Sequence, residues 1–230
     1  MATLEIGPGM GVLTQYLTTR PEVDLRVAEI DRESIAYLKQ HFPSLEGRII
    51  EGDVLEANWN TIFPGKFSVI GNFPYNISSQ IFFQVLAARD RVDQVVCMLQ
   101  KEVADRMAAS HGSKTYGILS VLLQAFFRVN YLFKVSPGVF TPPPKVMSAV
   151  IRLERNEVER LACDEALFVR VVKQAFNTRR KTLRNALKNL NLPAEISALE
   201  IMNKRAEQLS VEEFISLTVL IEQRRGGAAG

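Results

Sequence analysis

The chain has 230 residues, 47% of them hydrophobic and 23% charged, which suits an ordinary globular protein with one large core or two modest ones. It has no unbroken apolar run of membrane length and no signal peptide, so the expectation is no membrane contact. The net charge is only +3, and the whole excess lies in residues 151–230, where 14 basic residues stand against 11 acidic ones.

Two cysteines, Cys97 and Cys163, lie far apart with no paired spacing. Neither a zinc site nor a disulfide framework is expected, and a reducing cytoplasm is the natural setting. His41 and His111 are isolated and read as exposed or capping residues. No metal is expected.

Residues 3–6 read as a short apolar strand, followed by Gly7-Pro8-Gly9-Met10-Gly11 and an amphipathic helix over residues 12–19. Glycines between a strand and a helix let backbone approach a ligand closely. The third glycine comes one residue too soon for the dinucleotide pattern Gly-x-Gly-x-x-Gly. Residues 25–31 form a second strand ending in acids, and Glu29 falls 22 residues after Gly7, where a nucleoside ribose is commonly held. A helix over 33–41 and a strand over 48–52 follow, delivering Asp53 to a third strand end.

Residues 67–70 read as a buried strand, and 80–86 as a helix with Ser78 or Ser79 as its N-cap. Asn72 to Tyr75 then occupy a strand-to-helix loop, the usual place for ligands in open α/β sheets. Asn72 offers a carboxamide, Pro74 fixes the carbonyls beside it, and Tyr75 adds a flat ring. That set suits a planar ligand with an exocyclic amine, such as adenine or cytosine. It also suits an ordinary turn with a core tyrosine.

A strand over 93–99, helices over 101–109 and from 113–115 to about 127, and strands over 131–135 and 147–152 complete the alternation. The Pro-rich loop 136–145 places Phe140 either over the sheet end or in the core. From Asn156 the spacing is helical throughout, over 165–176, 179–189, 193–201 and 211–223, with Pro193 and Ser210 marking starts. Between Ala166 and Ala194 there is no acid, while Arg170, Lys173, Arg179, Arg180, Lys181, Arg184 and Lys188 all fall there. That points to a polyanionic partner. The tail from Gly226 reads as disordered. The expected domains are 1–155, a doubly wound α/β unit, and 156–230, a small all-helical unit.

Four segments carry a resemblance. They are Leu4-Glu5-Ile6-Gly7-Pro8-Gly9, Glu29-Ile30-Asp31, Asn72-Phe73-Pro74-Tyr75-Asn76-Ile77-Ser78, and Phe140-Thr141-Pro142-Pro143-Pro144-Lys145-Val146-x-Ser148-Ala149-Val150. With Gln174-Ala175-Phe176-x-x-Arg179-Arg180-Lys181, they make the chain resemble the ribosomal RNA adenine dimethyltransferases, most closely the type that modifies small-subunit RNA. The first two segments are shared with many methyltransferases; the third and fourth are far more specific. Phe73 stands where the family usually has leucine. The family also carries a segment before the first strand that covers the methionine end of the cofactor, for which Met1-Ala2-Thr3 leaves no room.

The resemblance implies a Rossmann-like fold and S-adenosylmethionine as cofactor, contacted by Gly7, Glu29 (ribose), Asp53 (adenine amine) and Asn72. It implies that Asn72 and Pro74 hold the target amine while Tyr75 and Phe140 sandwich the base. Arg179, Arg180, Lys181 and Arg184 would contact RNA. The implied partner is small-subunit ribosomal RNA or an immature small subunit, met by a monomer during ribosome biogenesis. The alternatives are a non-catalytic ribosome-assembly factor of the same fold and a DNA adenine methyltransferase.

Overall fold

The structure is a computed structural model that describes residues 1–226, so the expected disordered tail lies, beyond Gly226 itself, outside the described residues. Among those residues the chain divides into two compact units: Met1–Ala104 with Phe127–Asn156, and Asp105–Phe126 with Glu157 onward. The second unit thus takes in residues 105–126, in place of a single division near residue 155.

The first unit is built on a seven-stranded sheet in the order β3-β2-β1-β4-β5-β7-β6. The strands are β1 (Ala2–Ile6), β2 (Asp24–Glu29), β3 (Ile49–Glu51), β4 (Phe67–Asn72), β5 (Val92–Gln100), β6 (Phe127–Val135) and β7 (Ser148–Arg155). β3, β2, β1, β4 and β5 pair in parallel, and β7 then runs antiparallel to both β5 and β6. This is the doubly wound, Rossmann-like α/β arrangement expected from the alternating elements. α1 (Thr14–Leu17), α2 (Arg32–His41), α3 (Trp59–Ile62) and α4 (Ser78–Ala87) alternate with the strands. α5 (Lys101–Ala108) carries the chain out of this unit.

The pairing register sorts the sheet's side chains onto two unlike faces, because successive residues of a strand point to opposite sides. One face carries Leu4, Val69, Val95 and Leu153 in one cross-strand row and Cys97 and Ile151 in the next, all buried. The other carries Glu5, Ile70, Val96 and Arg152, then Asn72, Met98 and Val150, most of them half-buried or exposed. Beside β2 the core continues through Leu25, Val27, Leu38 and Leu45.

Local sequence explains some element ends. Asp31 caps α2 by accepting from Ser34 N at 2.8 Å. α4 starts differently from the expectation: Ile77 is its N-cap and no side chain caps it. Ser78 is buried in the first turn instead, and its hydroxyl donates back to the Tyr75 carbonyl at 3.3 Å. The element expected from residue 113 begins only at Ile118, as α6 (Ile118–Gln124). The Pro-rich loop contains a short 3-10 turn, Pro137–Val139.

The second unit is helical. Its long members are α7 (Glu165–Asn177) and α10 (Val211–Gly226). Ser210 and Glu213 form a reciprocal capping box at the start of α10, with Ser210 N donating to Glu213 Oε2 at 2.9 Å and Glu213 N to Ser210 Oγ at 3.1 Å. Tyr116, Phe176 and Phe214 join in a chain of ring contacts at 6.0 and 5.9 Å. The continuous helix expected over 179–189 is broken. Residues 178–182 form a turn, and only α8 (Leu183–Ala186) and a 3-10 turn at Lys188–Leu190 follow. The backbone is diverted there to pair with a distant strand-like residue, Leu183 N donating to Lys204 O at 2.8 Å. Likewise 193–201 resolves into α9 (Ala194–Ser197) and a 3-10 turn at Glu200–Asn203.

At Gly71 the chains of β1 and β4 approach so closely that an added Cβ would lie 2.4 Å from the Ile6 carbonyl oxygen. Backbone on both sides cannot yield as a side chain would. Gly71→Ala is expected to destabilise the protein by about 2–3 kcal/mol, as overpacked cores do, read as a lowered urea midpoint with an unchanged slope.

Candidate active site

A cavity of about 730 Å³ opens on the half-exposed face of the first unit's sheet, at the carboxyl ends of the strands. Glu5, Asn72, Met98 and Val150 line it from the sheet, and Gly7 and Phe140 from the loops above. The apolar and polar mix and the size fit a small-molecule site.

Gly7 follows β1 directly and sits at φ +67°, a left-handed backbone that favours glycine. An added Cβ would meet the Asn72 carbonyl oxygen and the Pro74 ring only at 3.7 Å, so the backbone angle, not lack of room, restricts the position. The same distances show that the Gly7 loop and the Asn72–Pro74 segment are immediate neighbours.

Asn72 is the last residue of β4, one position earlier than a loop residue, and it is exposed on the cavity. Phe73 points the other way and is buried, its ring 5.7 Å from that of Phe82. The larger side chain at this position is therefore absorbed by the core. Pro74 O accepts from Ile77 N at 3.2 Å, which closes the turn into α4. Tyr75 is half-buried, and its hydroxyl shares a short hydrogen bond with Ser148 Oγ at the start of β7. Pro74 borders the cavity through Gly7, while neither Tyr75 nor Ser148 lines it.

Glu29 is buried at the end of β2. Its Oε2 accepts from Gly9 N at 2.9 Å, and its Oε1 from Ile30 N at 2.9 Å and Asp31 N at 3.0 Å. The carboxylate thus ties the glycine loop to the neighbouring strand end. It has about four acceptor positions, so these three bonds leave one free. Asp53 follows β3 but lies outside the cavity lining; its Oδ1 accepts from Leu55 N at 2.8 Å. The cavity therefore brings together Gly7, Asn72 and Phe140, with Pro74 and Glu29 one contact away, Tyr75 next to Pro74 in the chain, and Asp53 farther along the strand ends.

Arg179, Arg180, Lys181 and Arg184 lie in the second unit. Arg179 is half-buried and donates to Ser113 O at 3.4 Å; Arg180 and Lys181 are exposed in the turn; Arg184 is exposed and donates to Ser197 O at 3.1 Å. Among the described residues, no cluster of three or more histidine, cysteine or acidic side chains could hold a metal ion, and no helix is long and apolar enough to cross a membrane.

Two residues escaped the sequence reading. Ser148 was visible only as part of a motif. Glu5 was passed over as a strand residue, although a carboxylate inside a short apolar strand is itself a signal. Glu5 is buried against the cavity, and Thr14 Oγ1 donates to its Oε2 at 2.8 Å. Burial pushes its carboxyl up to about 7; the Thr14 hydrogen bond opposes this and the nearby Glu29 adds to it.

Comparison with solved structures gives the class first. The chain is similar to a crystal structure of a dimethyladenosine transferase from Plasmodium falciparum, with a TM-score of 0.80 and 26% identity over 97% of this chain and 90% of that one. It shares the fold of the 23S rRNA methyltransferase ErmE, with a TM-score of 0.65 and 24% identity over 95% and 91% of the two chains. The sequence narrows this further. A family model described as ribosomal RNA adenine dimethylase matches residues 1–223. A ribosomal RNA small subunit methyltransferase A from Cytophaga hutchinsonii is 58% identical over 95% of this chain and 84% of its own length. One from Parabacteroides distasonis is 56% identical over 100% and 86%. The chain belongs to the ribosomal RNA adenine dimethylase family.

The Glu5 carboxyl gives the fold a pH signature. In the folded protein burial pushes this carboxyl up to about 7 from its ordinary 4.5. The unfolded chain therefore binds fewer protons in that window, and stability falls as pH rises from about 4.5 to 7, then levels off. Glu5→Gln is expected to flatten this decline, measured as melting temperature against pH, and to leave the variant more stable than the parent at pH 8.

Proposed function

We propose that the protein is an S-adenosylmethionine-dependent methyltransferase that dimethylates the N6 amine of adenines in small-subunit ribosomal RNA. The observation that carries the reading is the exposed Asn72 carboxamide at the end of β4, opening on the cavity beside Pro74 and Gly7. Membership of the family and the names of the relatives supply the substrate class.

The residues present fit the cofactor. The volume of about 730 Å³ is ample, Gly7 presents backbone without a side chain, and Glu29 keeps one acceptor position for a ribose hydroxyl. Asp53, one strand farther along, would take the cofactor's adenine amine. When bound, the cofactor supplies an electrophilic methyl carbon on a sulfonium centre.

The chain's own part is placement. The exocyclic amine of adenine is a weak nucleophile because its lone pair is delocalised into the ring. The Asn72 side-chain oxygen accepts one amine proton and the Pro74 carbonyl the other, through the lone pair that Ile77 N leaves unused. Both acceptors draw the nitrogen towards a pyramidal shape with its lone pair turned out of the ring plane. Rate then comes from orientation and preorganised dipoles rather than a strong base. The target base must leave its stack to enter. Tyr75, steadied through Ser148, and Phe140 offset that cost by about 1–3 kcal/mol per stacked ring. The exposed Arg180, Lys181 and Arg184, with Arg179, bind the phosphate backbone. The protein is proposed to act as a cytoplasmic monomer on an immature small subunit.

Asn72→Ala is expected to abolish transfer of labelled methyl groups to small-subunit RNA while RNA binding stays within about twofold. Turnover at the parent rate in that variant would remove Asn72 from the chemistry, and absence of methylation by the parent chain would favour a non-catalytic assembly factor. Reversing the charges of Arg179, Arg180 and Lys181 is expected to weaken RNA binding and reduce the slope of log affinity against log salt by about two to three units. Cofactor affinity should not change, and an unaltered salt slope would place the RNA elsewhere.

A further inference from the structure

The register of the sheet runs one row of residues from the cavity out to its edge. Asn72 on β4 pairs with Met98 on β5, Met98 with Val150 on β7, and Val150 with Phe133 on β6. Paired residues share a face of the sheet, and the first three of this row line the cavity. Phe133 is the fourth, on the same face, with 56% of its surface exposed.

It owes that position to an irregularity. Tyr131 pairs with Ile151 and Phe133 with Val150, so Leu132 is an extra residue in β6. In an unbroken register, Phe133 would fall opposite Ala149 and face the buried side. Bulges commonly re-aim a side chain near an active site. On the same face, Arg152 stands two residues along β7 and its pair Asn130 three residues along β6, past the extra residue, with the exposed Arg128 beyond them. Glu154, the acid of this strip, is engaged by Arg152 at 3.3 Å and by Asn130 Nδ2 at 3.0 Å.

An exposed ring beside cationic and amide side chains, continuous with a pocket for a base, has the composition of a single-strand nucleic-acid platform. We propose that Phe133 stacks a nucleotide flanking the target adenine, with that nucleotide's phosphates passing over Asn130 and Arg152. Three strand spacings separate Phe133 from Asn72, about 14 Å along the row. The platform therefore holds the strand on which the adenine is turned out, and it acts on RNA affinity rather than on the methyl-transfer step. The inference rests on the reading that Asn72 holds an RNA adenine.

The test compares Phe133→Ala, Phe133→Leu and Phe133→Tyr in the full chain, with small-subunit RNA and labelled S-adenosylmethionine. The alanine and leucine variants are expected to raise KM for RNA about tenfold, with kcat and cofactor affinity little changed. The tyrosine variant, which keeps the ring, is expected to restore KM. Leucine keeps apolar bulk without an aromatic face, so a leucine variant equal to the parent would overturn the stacking role while leaving the methyltransferase reading intact. A parent chain that methylates no RNA would overturn both.

Discussion

The contact on which the site depends is the near-collision of two backbones, β1 and β4, at Ile6 and Gly71. Because position 71 has no side chain, β4 lies tight against β1. The next residue of each strand then emerges beside the other: Gly7 on one side, Asn72 on the other. The 3.7 Å between a Cβ at Gly7 and the Asn72 carbonyl oxygen measures that proximity. The Gly7 loop and the Asn72 segment are thereby set side by side by backbone alone, before any side chain is chosen.

The second constraint is the unequal treatment of the two sheet faces. A mostly parallel sheet is normally covered on both sides. Here one face is filled with Leu4, Val69, Val95, Ile151 and Leu153, all at or near zero exposure. The opposite face, from β4 to β6, stays half-open and carries the cavity. Stability and ligand access are thus assigned to alternate residues of the same strands. Glu5 shows the tension: it lies on the open face yet is buried, and that burial pushes its carboxyl up to about 7.

Much of this was legible in the sequence because it is local. Apolar runs bounded by turn residues marked the strands, and a glycine, two acids and an amide at their ends marked Gly7, Glu29, Asp53 and Asn72 as candidates. The Asn72-to-Tyr75 run and the Pro-rich loop carried enough chemistry to suggest a base pocket. What could not be read was set by distant partners. The helix expected over 179–189 is broken because Leu183 bonds to Lys204. Residues 105–126 group with the helical unit because of contacts made by chain far ahead of them. The serine expected to cap α4 instead turns back to Tyr75. The extra residue at Leu132 has no sequence mark at all, since only the pairing with β7 reveals it.

Three of the groups proposed to touch ligand share one further property: each already has a structural partner that consumes part of its hydrogen-bonding capacity. Glu29 is held by three backbone N–H groups, Pro74 O by Ile77 N, and the Tyr75 hydroxyl by Ser148. Those bonds fix orientation and leave one lone pair or one ring face over. A group prepared this way loses little freedom when ligand arrives, so more of the binding energy is kept for alignment of the reacting atoms. Asn72 is the contrast. It is exposed at a strand end, and its backbone is locked by the sheet while its carboxamide projects into the cavity mouth. In the proposed role it would meet an amine whose geometry changes during reaction, and a side chain anchored at its root and free at its tip suits that.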